Sequence, residues 1–379
     1  MKKWLCALAA LMTLCLCLPA LAGEAYIFDD MNHTSLYCAV PRGDGSTLLL
    51  MNMRAKENRT EGENPTVACL VCVGANGETL WEHRQDGPQE VKNIYGKASV
   101  LADGSTMLLY HRYSNDDDLW ELRKFAPEGE LMAQQALGEI HDQSYFFPGG
   151  MLEIRWAGER GDHDQLALAL YGEDLQPVWQ REYPKTFSQL ELYTQQPVYN
   201  GVAIVALEAS ERERKMAMLF SAEDGSILWQ TELGGREQTF FTAVDPAGQL
   251  WVVMAQFDSG KDTYASAKAV RLSETGEVAQ ELTLDVSSLK GRDQWYQCRV
   301  TEEGFLLLGL GKTETRVRLW QYDTAGALQT TTNAYAHEEE AYSRVFFADI
   351  GGELYAATTA DKDERESVVL VPLGRKVQP

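Results

Sequence analysis

Ala217-Met218-Leu219-Phe220-Ser221-Ala222-Glu223-Asp224-Gly225-Ser226-Ile227-Leu228-Trp229 is the stretch that decides the fold of this 379-residue chain. Two short apolar runs flank a polar turn that ends in glycine, a pattern typical of a β-hairpin because glycine adopts positive φ without steric cost. The same turn returns about every 50 residues, and its last position is held by Gly77, Gly129, Leu175, Gly225, Gly276 and Gly326. Hairpins repeated at this period predict a β-propeller.

A second series of turns alternates with the first and completes the repeat. Each of these turns is followed by an apolar strand, as at residues 48–51 and 305–310. The turns are Asp44-Gly45, Asp103-Gly104, Gly149-Gly150, Asn200-Gly201, Ala247-Gly248, Glu303-Gly304 and Gly351-Gly352. The alternation gives a unit of four strands, A to D, in which hairpin A–B, a polar loop and hairpin C–D follow one another.

These units predict an all-β chain that forms a single β-propeller of seven four-stranded blades. The blades are expected at residues 36–84, 97–137, 143–183, 198–233, 240–284, 295–332 and 342–372. Six or eight blades stay open as alternatives, because the turn at Leu175 lacks its glycine.

The seventh unit has one strand too few. After its A–B hairpin, only residues 368–371 form a further apolar strand. Residues 25–28 are apolar and have no other partner, so we expect an N-terminal strand there to complete the last blade. Pairing the two ends would remove the open sheet edges of a linear array. The alternative is an unpaired N-terminus and an open ring.

The C–D hairpin resembles the repeat of bacterial PQQ-type quinoprotein propellers at residues 221–229 and 74–81. In that pattern an apolar strand precedes Asp or Glu, a turn glycine and, four residues on, tryptophan. Three of six repeats keep this residue and three replace it: the positions are Trp81, Trp179, Trp229, Ala133, Gln280 and Thr330. The resemblance implies a propeller, in which we expect the tryptophans to pack between neighbouring blades.

The resemblance covers the repeat and not the catalytic site of that family. Quinoproteins hold PQQ and Ca²⁺ over the channel with a catalytic Asp, a stacking Trp and adjacent cysteines. This chain has no Cys-Cys pair, and Val73 follows Cys72 where haem attachment would need histidine. We therefore predict no cofactor, neither PQQ nor calcium, and no metal site.

The first 22 residues are typical of a secretory signal. Lys2 and Lys3 precede an apolar stretch over 4–18, and an A-x-A site ends at Ala22. A membrane span needs about 20 apolar residues, so we expect cleavage after Ala22 and export of a single domain, 23–379, to the cell envelope or the medium. An uncleaved membrane anchor is the alternative.

The strong negative charge limits the partners. The formal net charge is −22, which repels phosphate backbones and anionic lipid heads. We therefore expect no nucleic acid partner and no stable membrane insertion. A monomer is a separate expectation.

Four cysteines follow the signal, and none is expected to bind a metal or form a disulfide. Cys69 and Cys72 lie three apart on a predicted strand, so they point to opposite faces. Cys38 and Cys298 fall on inner strands of different blades. Buried free thiols are predicted, with the redox state of all four left open.

The best candidate site is a set of aromatic residues at the channel mouth. They recur near the start of the A strand, which emerges on the face formed by the D–A and B–C loops, and two long B–C loops on this face begin with basic or aromatic residues. The candidate residues are Tyr37, Tyr95, Tyr145, Tyr193, Phe240, Tyr296, Tyr342, His111, Arg112, Arg155 and Trp156. They either pack blade against blade or form platforms that stack on sugars or peptides.

No catalytic motif is recognised: Gly-x-Ser-x-Gly, His-Glu-x-x-His and phosphate-binding glycine loops are all absent. We predict an exported, non-catalytic binding protein that engages a protein, peptide or glycan at the D–A/B–C loop face. One alternative is a secreted hydrolase or lyase that acts on polysaccharide at the channel mouth. A structural or sensing part of an envelope complex is another.

Overall fold

The computed structural model describes residues 26–28, 33–54, 66–85, 92–113, 118–137, 143–147, 150–157, 165–183, 192–199, 201–208, 214–234, 238–258, 260, 263–287, 289, 293–311, 316–334, 341–362 and 365–376. The regular elements of these residues are β-strands. In these ranges no helix is long and apolar enough to cross a membrane. The predicted signal at 1–22 lies outside the described residues.

The strands form seven four-stranded blades, I to VII, as predicted. Blades I and II contain β2 (His33–Pro41), β3 (Thr47–Arg54), β4 (Thr66–Val73) and β5 (Thr79–Gln85), then β6 (Lys92–Val100), β7 (Thr106–Tyr113), β8 (Asp118–Phe125) and β9 (Leu131–Leu137). Blades III and IV contain β10 (Gln143–Phe147), β11 (Gly150–Ala157), β12 (Gln165–Tyr171) and β13 (Pro177–Tyr183), then β14 (Leu192–Val198), β15 (Gly201–Glu208), β16 (Arg214–Ser221) and β17 (Ile227–Gly234).

Blades V and VI contain β18 (Gln238–Val244), β19 (Leu250–Asp258), β20 (Thr263–Leu272) and β21 (Val278–Leu284), then β22 (Gln294–Thr301), β23 (Gly304–Leu310), β24 (Val317–Asp323) and β25 (Leu328–Ala334). Blade VII contains β26 (Ala341–Ile350), β27 (Glu353–Lys362), β28 (Arg365–Lys376) and β1 (Tyr26–Phe28).

The first strand completes the last blade. β1 runs antiparallel to β28, with Ile27 opposite Val369. The innermost strands contact one another in order around the ring, and β26 of blade VII returns to β2 of blade I. The predicted closure by an N-terminal strand is therefore confirmed, and the open ring is not observed.

Two blades begin five or six residues earlier than predicted. β6 starts at Lys92 rather than at 97, and β14 starts at Leu192 rather than at 198. A β-bulge interrupts the alternation of each strand. Because a bulge breaks the period-2 pattern, the residues before it do not stand out as strand in the sequence.

The core is divided among the seven interfaces between blades, and one hydrophobic cluster fills each interface. The second strand of each blade is sandwiched between two clusters, which explains why β3 has consecutive buried residues from Leu48 to Met51. Cys69 and Cys72 of β4 enter different clusters, as their spacing predicted.

The tryptophan of the repeat lies on the turn glycine of the next blade, which confirms its packing role. A methyl group added to these glycines would lie 2.5 to 2.7 Å from the indole ring: the pairs are Trp81 with Gly129, Trp179 with Gly225, and Trp229 with Gly276. Two of the indole N–H groups donate to a turn carbonyl, at 2.8 and 3.1 Å. Only glycine leaves room for the ring in this position.

At the interface between blades II and III, a buried leucine takes the place of the tryptophan ring. Ala133 stands in place of the tryptophan, and Leu175 stands in place of the glycine. Leu175 has φ 66° and is 1% exposed, within the cluster between these blades. A left-handed backbone costs a non-glycine residue roughly 1–2 kcal/mol. Burial of the leucine side chain, worth about 1.5–3 kcal/mol, offsets that cost.

Candidate functional site

Five innermost strands carry a β-bulge in their N-terminal half or near their midpoint, close to the D–A loop that precedes each strand. The pairing of β2 with β3 skips Tyr37, and in the same way β14 skips Tyr193 and β22 skips Tyr296. The bulges of β6 and β26 fall at residues 96–97 and 344–345. A bulge re-aims a side chain out of the regular alternation, so these positions lie where a strand can direct side chains into the mouth.

Arg344 and Tyr37 meet across the junction of blades VII and I. The guanidinium carbon of Arg344 lies 4.5 Å from the centroid of the Tyr37 ring. Arg344 is exposed, Tyr37 is partly exposed, and the arginine backbone has φ 53°. A non-glycine residue in this region is strained, and such residues cluster at binding sites. The sequence pattern found Tyr37 but gave no signal for Arg344, which the fold brings from the other end of the chain.

Tyr296 presents the most accessible ring of the set with described side chains. It is 40% exposed, and its hydroxyl donates a hydrogen bond to Oε1 of Gln294 at 3.0 Å. The neighbouring Gln297 accepts a hydrogen bond of 2.7 Å from the backbone N–H of Phe347. Blades VI and VII are thereby held together directly beside the exposed tyrosine.

A further cation lies deeper on the inner strands. Arg299 pairs with Asp349 at 2.9 Å, and its guanidinium carbon lies 4.7 Å from the centroid of Phe347. Lys97, in the bulge of β6, keeps solvent-exposed surface, but desolvation by the surrounding protein lowers its pKa. The inner strands therefore carry several cations in a chain whose formal net charge is −22.

Two predicted site residues lie within the core. Tyr95 is fully buried, with its ring centroid 5.7 Å from that of Tyr110 in the cluster between blades I and II. Tyr342 is 1% exposed in the cluster between blades VI and VII. Both rings therefore have the packing role that was the alternative to ligand binding.

His111 and Arg112 lie at the end of β7. The His111 ring stacks on Trp120 with centroids 3.7 Å apart, and Nε2 lies 2.7 Å from Oδ1 of Asp118. Arg112 is partly exposed and lies opposite Leu119 in the β7–β8 pair. The partners of the His111 ring therefore come from its own hairpin, β7–β8.

The other predicted site residues are placed by backbone alone. Tyr145 lies opposite Leu152 and Phe240 opposite Met254, while Tyr193 is the bulged residue of β14. Arg155 and Trp156 lie in β11. The side chains of these five residues, and most of the B–C loops, lie outside the described part of the structure.

Two inner-strand cysteines are shielded from ionisation. The residues Cys38 and Cys298 keep partial exposure, but protein surrounds their sulfur atoms. Burial raises the pKa of Cys38 to about 11, opposed by a backbone hydrogen bond from Ala98 and the charge of Lys97. Burial alone raises the pKa of Cys298 to about 12. In the described ranges no three His, Cys, Asp or Glu side chains form a group that could hold a metal ion.

The two thiols should make the free energy of unfolding fall at alkaline pH. Below about pH 9, the thiols are protonated in both states and their contribution is fully present. Above it the unfolded chain loses protons first, so stability is lost as the pH rises towards 11 and 12. We expect urea unfolding at pH 8 and pH 10.5 to show a smaller decline for Cys38→Ala/Cys298→Ala than for the parent. Equal declines would contradict the assignment.

No protein-family model matches the chain, and no curated protein matches it. Several solved structures match the chain. The β-propeller domain of the Trilobed protease from Pyrococcus furiosus has TM-score 0.55 and 10% identity, with 91% of this chain and 97% of that chain covered.

A prolyl endopeptidase has TM-score 0.53 and 14% identity, with 91% of this chain covered; this chain spans 47% of the endopeptidase. BamB from Moraxella catarrhalis has TM-score 0.43 and 12% identity, with 93% and 95% covered. At these identities the likeness to the Trilobed protease domain and to the endopeptidase, both with TM-scores above 0.5, shows the β-propeller fold alone. The PQQ-type repeat remains a prediction from the sequence.

Proposed function

We propose that this protein is an exported, non-catalytic binding propeller that holds a protein, peptide or glycan at the D–A/B–C loop face. One observation carries the proposal: bulges of the innermost strands fall at Tyr37, Tyr296 and Arg344, all of which reach the surface. Bulges and strained residues are features that proteins place at sites where a side chain must be aimed.

The chemistry of these side chains suits a ligand with flat or ring-shaped groups and negative charge. An exposed tyrosine offers a ring face for stacking and a hydroxyl for hydrogen bonds. The guanidinium of Arg344 can hold a carboxylate through two parallel hydrogen bonds. Because the rest of the chain is acidic, the charge of Arg344 at the mouth would concentrate an anionic ligand there.

A binding screen of the full chain would test this proposal. Acidic and neutral oligosaccharides of equal length, and acidic and neutral peptides of equal length, would be compared by thermal shift and titration calorimetry. We expect one acidic class to bind, with an affinity that falls as salt rises. Tyr296→Ala and Arg344→Ala should each weaken that binding about tenfold, equivalent to about 1.4 kcal/mol.

The matched control is Leu228→Ala, which removes another exposed apolar side chain from β17, the outermost strand of blade IV, near its C–D turn and away from the D–A/B–C loop face. Its affinity should equal that of the parent. A ligand bound equally well by the parent and by the Tyr296→Ala and Arg344→Ala variants would contradict the proposed site. Turnover of a bound glycan would replace the binding role by the polysaccharide-acting enzyme.

A further inference from the structure

A cavity of about 420 Å³ lies between blades V and VI, on the face opposite the proposed mouth. It is formed by the A–B turn of blade V, strand β21, and both hairpins of blade VI. The residues that matter for its chemistry are Asp245, Trp251, Gln280, Leu282, Phe305 and Thr324. Its volume falls within the roughly 300–1,000 Å³ of small-molecule sites.

The cavity occupies the position at which other blades place the tryptophan of the repeat. Gln280 pairs with Arg271 immediately before a bulge in the β20–β21 pair. Trp81 holds the same register position in blade I, and Trp229 holds it in blade IV. Gln280 therefore replaces an indole ring with a smaller, flexible amide.

At other interfaces of the ring a repeat tryptophan or a buried turn leucine fills the equivalent space, and neither is present between blades V and VI. At the interface of blades II and III, Leu175 fills it, but blade VI keeps a glycine, Gly326, at the matching turn position. That glycine lies against the backbone of Thr283 instead of a ring, and its carbonyl accepts a 3.0 Å hydrogen bond from the N–H of Asp285. The turn thus docks further along the strand, which leaves the side of Gln280 open.

The walls of the cavity suit an aromatic ring. Trp251 and Phe305 form a T-shaped pair with centroids 5.0 Å apart, and Leu282 adds an aliphatic surface. The carboxylate of Asp245 accepts hydrogen bonds from the Trp251 indole, at 3.0 Å, and from two turn N–H groups. The Asp245 carboxylate therefore already has hydrogen-bond donors within the protein.

We propose that this cavity binds an indole ring, supplied as the tryptophan side chain of a peptide. The ring would take the place that Trp81, Trp179 and Trp229 occupy at their own interfaces. In two of those interfaces the indole N–H donates to a turn carbonyl, and Thr324 belongs to the corresponding turn here. We therefore expect the N–H of a bound indole to donate a hydrogen bond to a carbonyl of this turn.

An adjoining cavity gives room for the peptide that carries the ring. Its volume is about 260 Å³, and it shares the A–B turns of blades V and VI with the first cavity. It continues towards blade VII, where Arg375 and Lys376 lie. A peptide can therefore extend from the ring site along the turn face.

The test uses ligand-observed NMR and calorimetry on the full chain. The probes are N-acetyl-L-tryptophanamide, its 1-methylindole derivative, free indole, and the peptides Ser-Gly-Trp-Gly-Ser and Ser-Gly-Leu-Gly-Ser. We expect the tryptophan peptide to bind best and the leucine peptide not to bind. Methylation of the indole nitrogen should weaken binding about tenfold, because it removes one hydrogen bond.

Gln280→Trp should abolish binding because it restores the ring of the repeat. Thr330→Trp is the matched control: Thr330 holds the same repeat position in blade VI and lines a different cavity, so binding should be unchanged. If Gln280→Trp fails to fold, Thr324→Arg blocks the cavity from an exposed turn.

The inference is overturned if none of the probes binds, if the leucine peptide binds equally well, or if Gln280→Trp binds like the parent. Binding of free indole as strongly as the peptide would overturn the peptide source. Because the two faces are separate, Arg344→Ala should leave indole binding unchanged, so this result is independent of the proposed mouth.

Discussion

Replacement of Arg123 by alanine is expected to lower the free energy of unfolding by about 3–5 kcal/mol, the usual cost of breaking a buried ion pair. Arg123 is 7% exposed and Glu121 is 9% exposed. Two nitrogens of the guanidinium donate to Oε2 of Glu121 at 2.7 and 3.0 Å, and the third donates to Gln85 of blade I at 2.9 Å. The guanidinium also lies 3.5 Å from the centroid of Tyr110. Its loss would leave the Glu121 carboxylate buried without a counter-charge.

Chemical denaturation of the variant and the parent would measure this loss. Removal of both charges, by Arg123→Met with Glu121→Leu, should recover most of it, because no buried charge then remains unpaired. The exposed pair of Lys268 and Glu281, at 3.2 Å, provides the matched control. Lys268→Ala should cost less than about 1 kcal/mol. If Arg123→Ala and Lys268→Ala lowered the free energy of unfolding by similar amounts, burial of the ion pair would not explain the effect.

A second readout separates the charge of Arg123 from its packing. Burial lowers the pKa of His83, and the positive charge of Arg123 lowers it further. In Arg123→Ala the His83 pKa should therefore rise, as followed by NMR titration of the ring. The rise should be absent in Arg123→Lys, which keeps the charge while losing the planar hydrogen-bonding geometry.

Gly276→Ala should destabilise the protein more than Gly248→Ala, although both glycines lie in turns of blade V with nearly equal φ, 80° and 78°. The left-handed backbone costs alanine roughly 1–2 kcal/mol at either position. At Gly248 the new methyl group meets nothing within 4 Å, whereas at Gly276 it would lie 2.6 Å from Cδ2 of Trp229. Forcing a methyl group into a packed site adds about 1–3 kcal/mol.

Thermal and urea unfolding of the two variants would give the difference directly. The comparison holds the backbone conformation constant, so the excess at Gly276 reports the contact with Trp229. In a Trp229→Gln background, which imitates Gln280 of the next blade, the excess should disappear. Equal losses at the two glycines would show that the indole moves aside at little cost.

The repeat made the architecture predictable, because turn glycines and apolar runs mark each hairpin independently of the rest of the chain. The same local signals failed at the starts of β6 and β14, where a bulge breaks the alternation. Leu175 left the number of blades open in the sequence. In the structure its side chain replaces the missing ring of Ala133, so a turn without glycine still closes an ordinary blade.

The candidate site was predictable only as far as the strand that carries it. Tyr95 and Tyr296 occupy similar places in the repeat, yet one is buried and the other is 40% exposed. Tyr95 still pairs with Tyr110 before the bulge of β6, whereas Tyr296 is the residue that the pairing skips. A shift of one residue turns a side chain to the other face of a strand, and sequence spacing does not give the position of a bulge to that precision.

The contact between Arg344 and Tyr37, and the open space beside Gln280, required the folded ring. In the first case, residues from opposite ends of the chain meet across the closure. In the second, the sequence shows a missing tryptophan but not that the turn of blade VI docks further along β21.

The pairing of β1 with β28 also determines when blade VII can be completed during biosynthesis. β1 is made before every other described strand, and its partner is made last. At roughly 5–20 residues per second, a ribosome needs tens of seconds to produce the intervening blades. During that interval β1 lacks the strand with which it pairs, and an unpaired strand edge can pair with other chains. The nascent chain is therefore most exposed to misassembly just before its final strand is made.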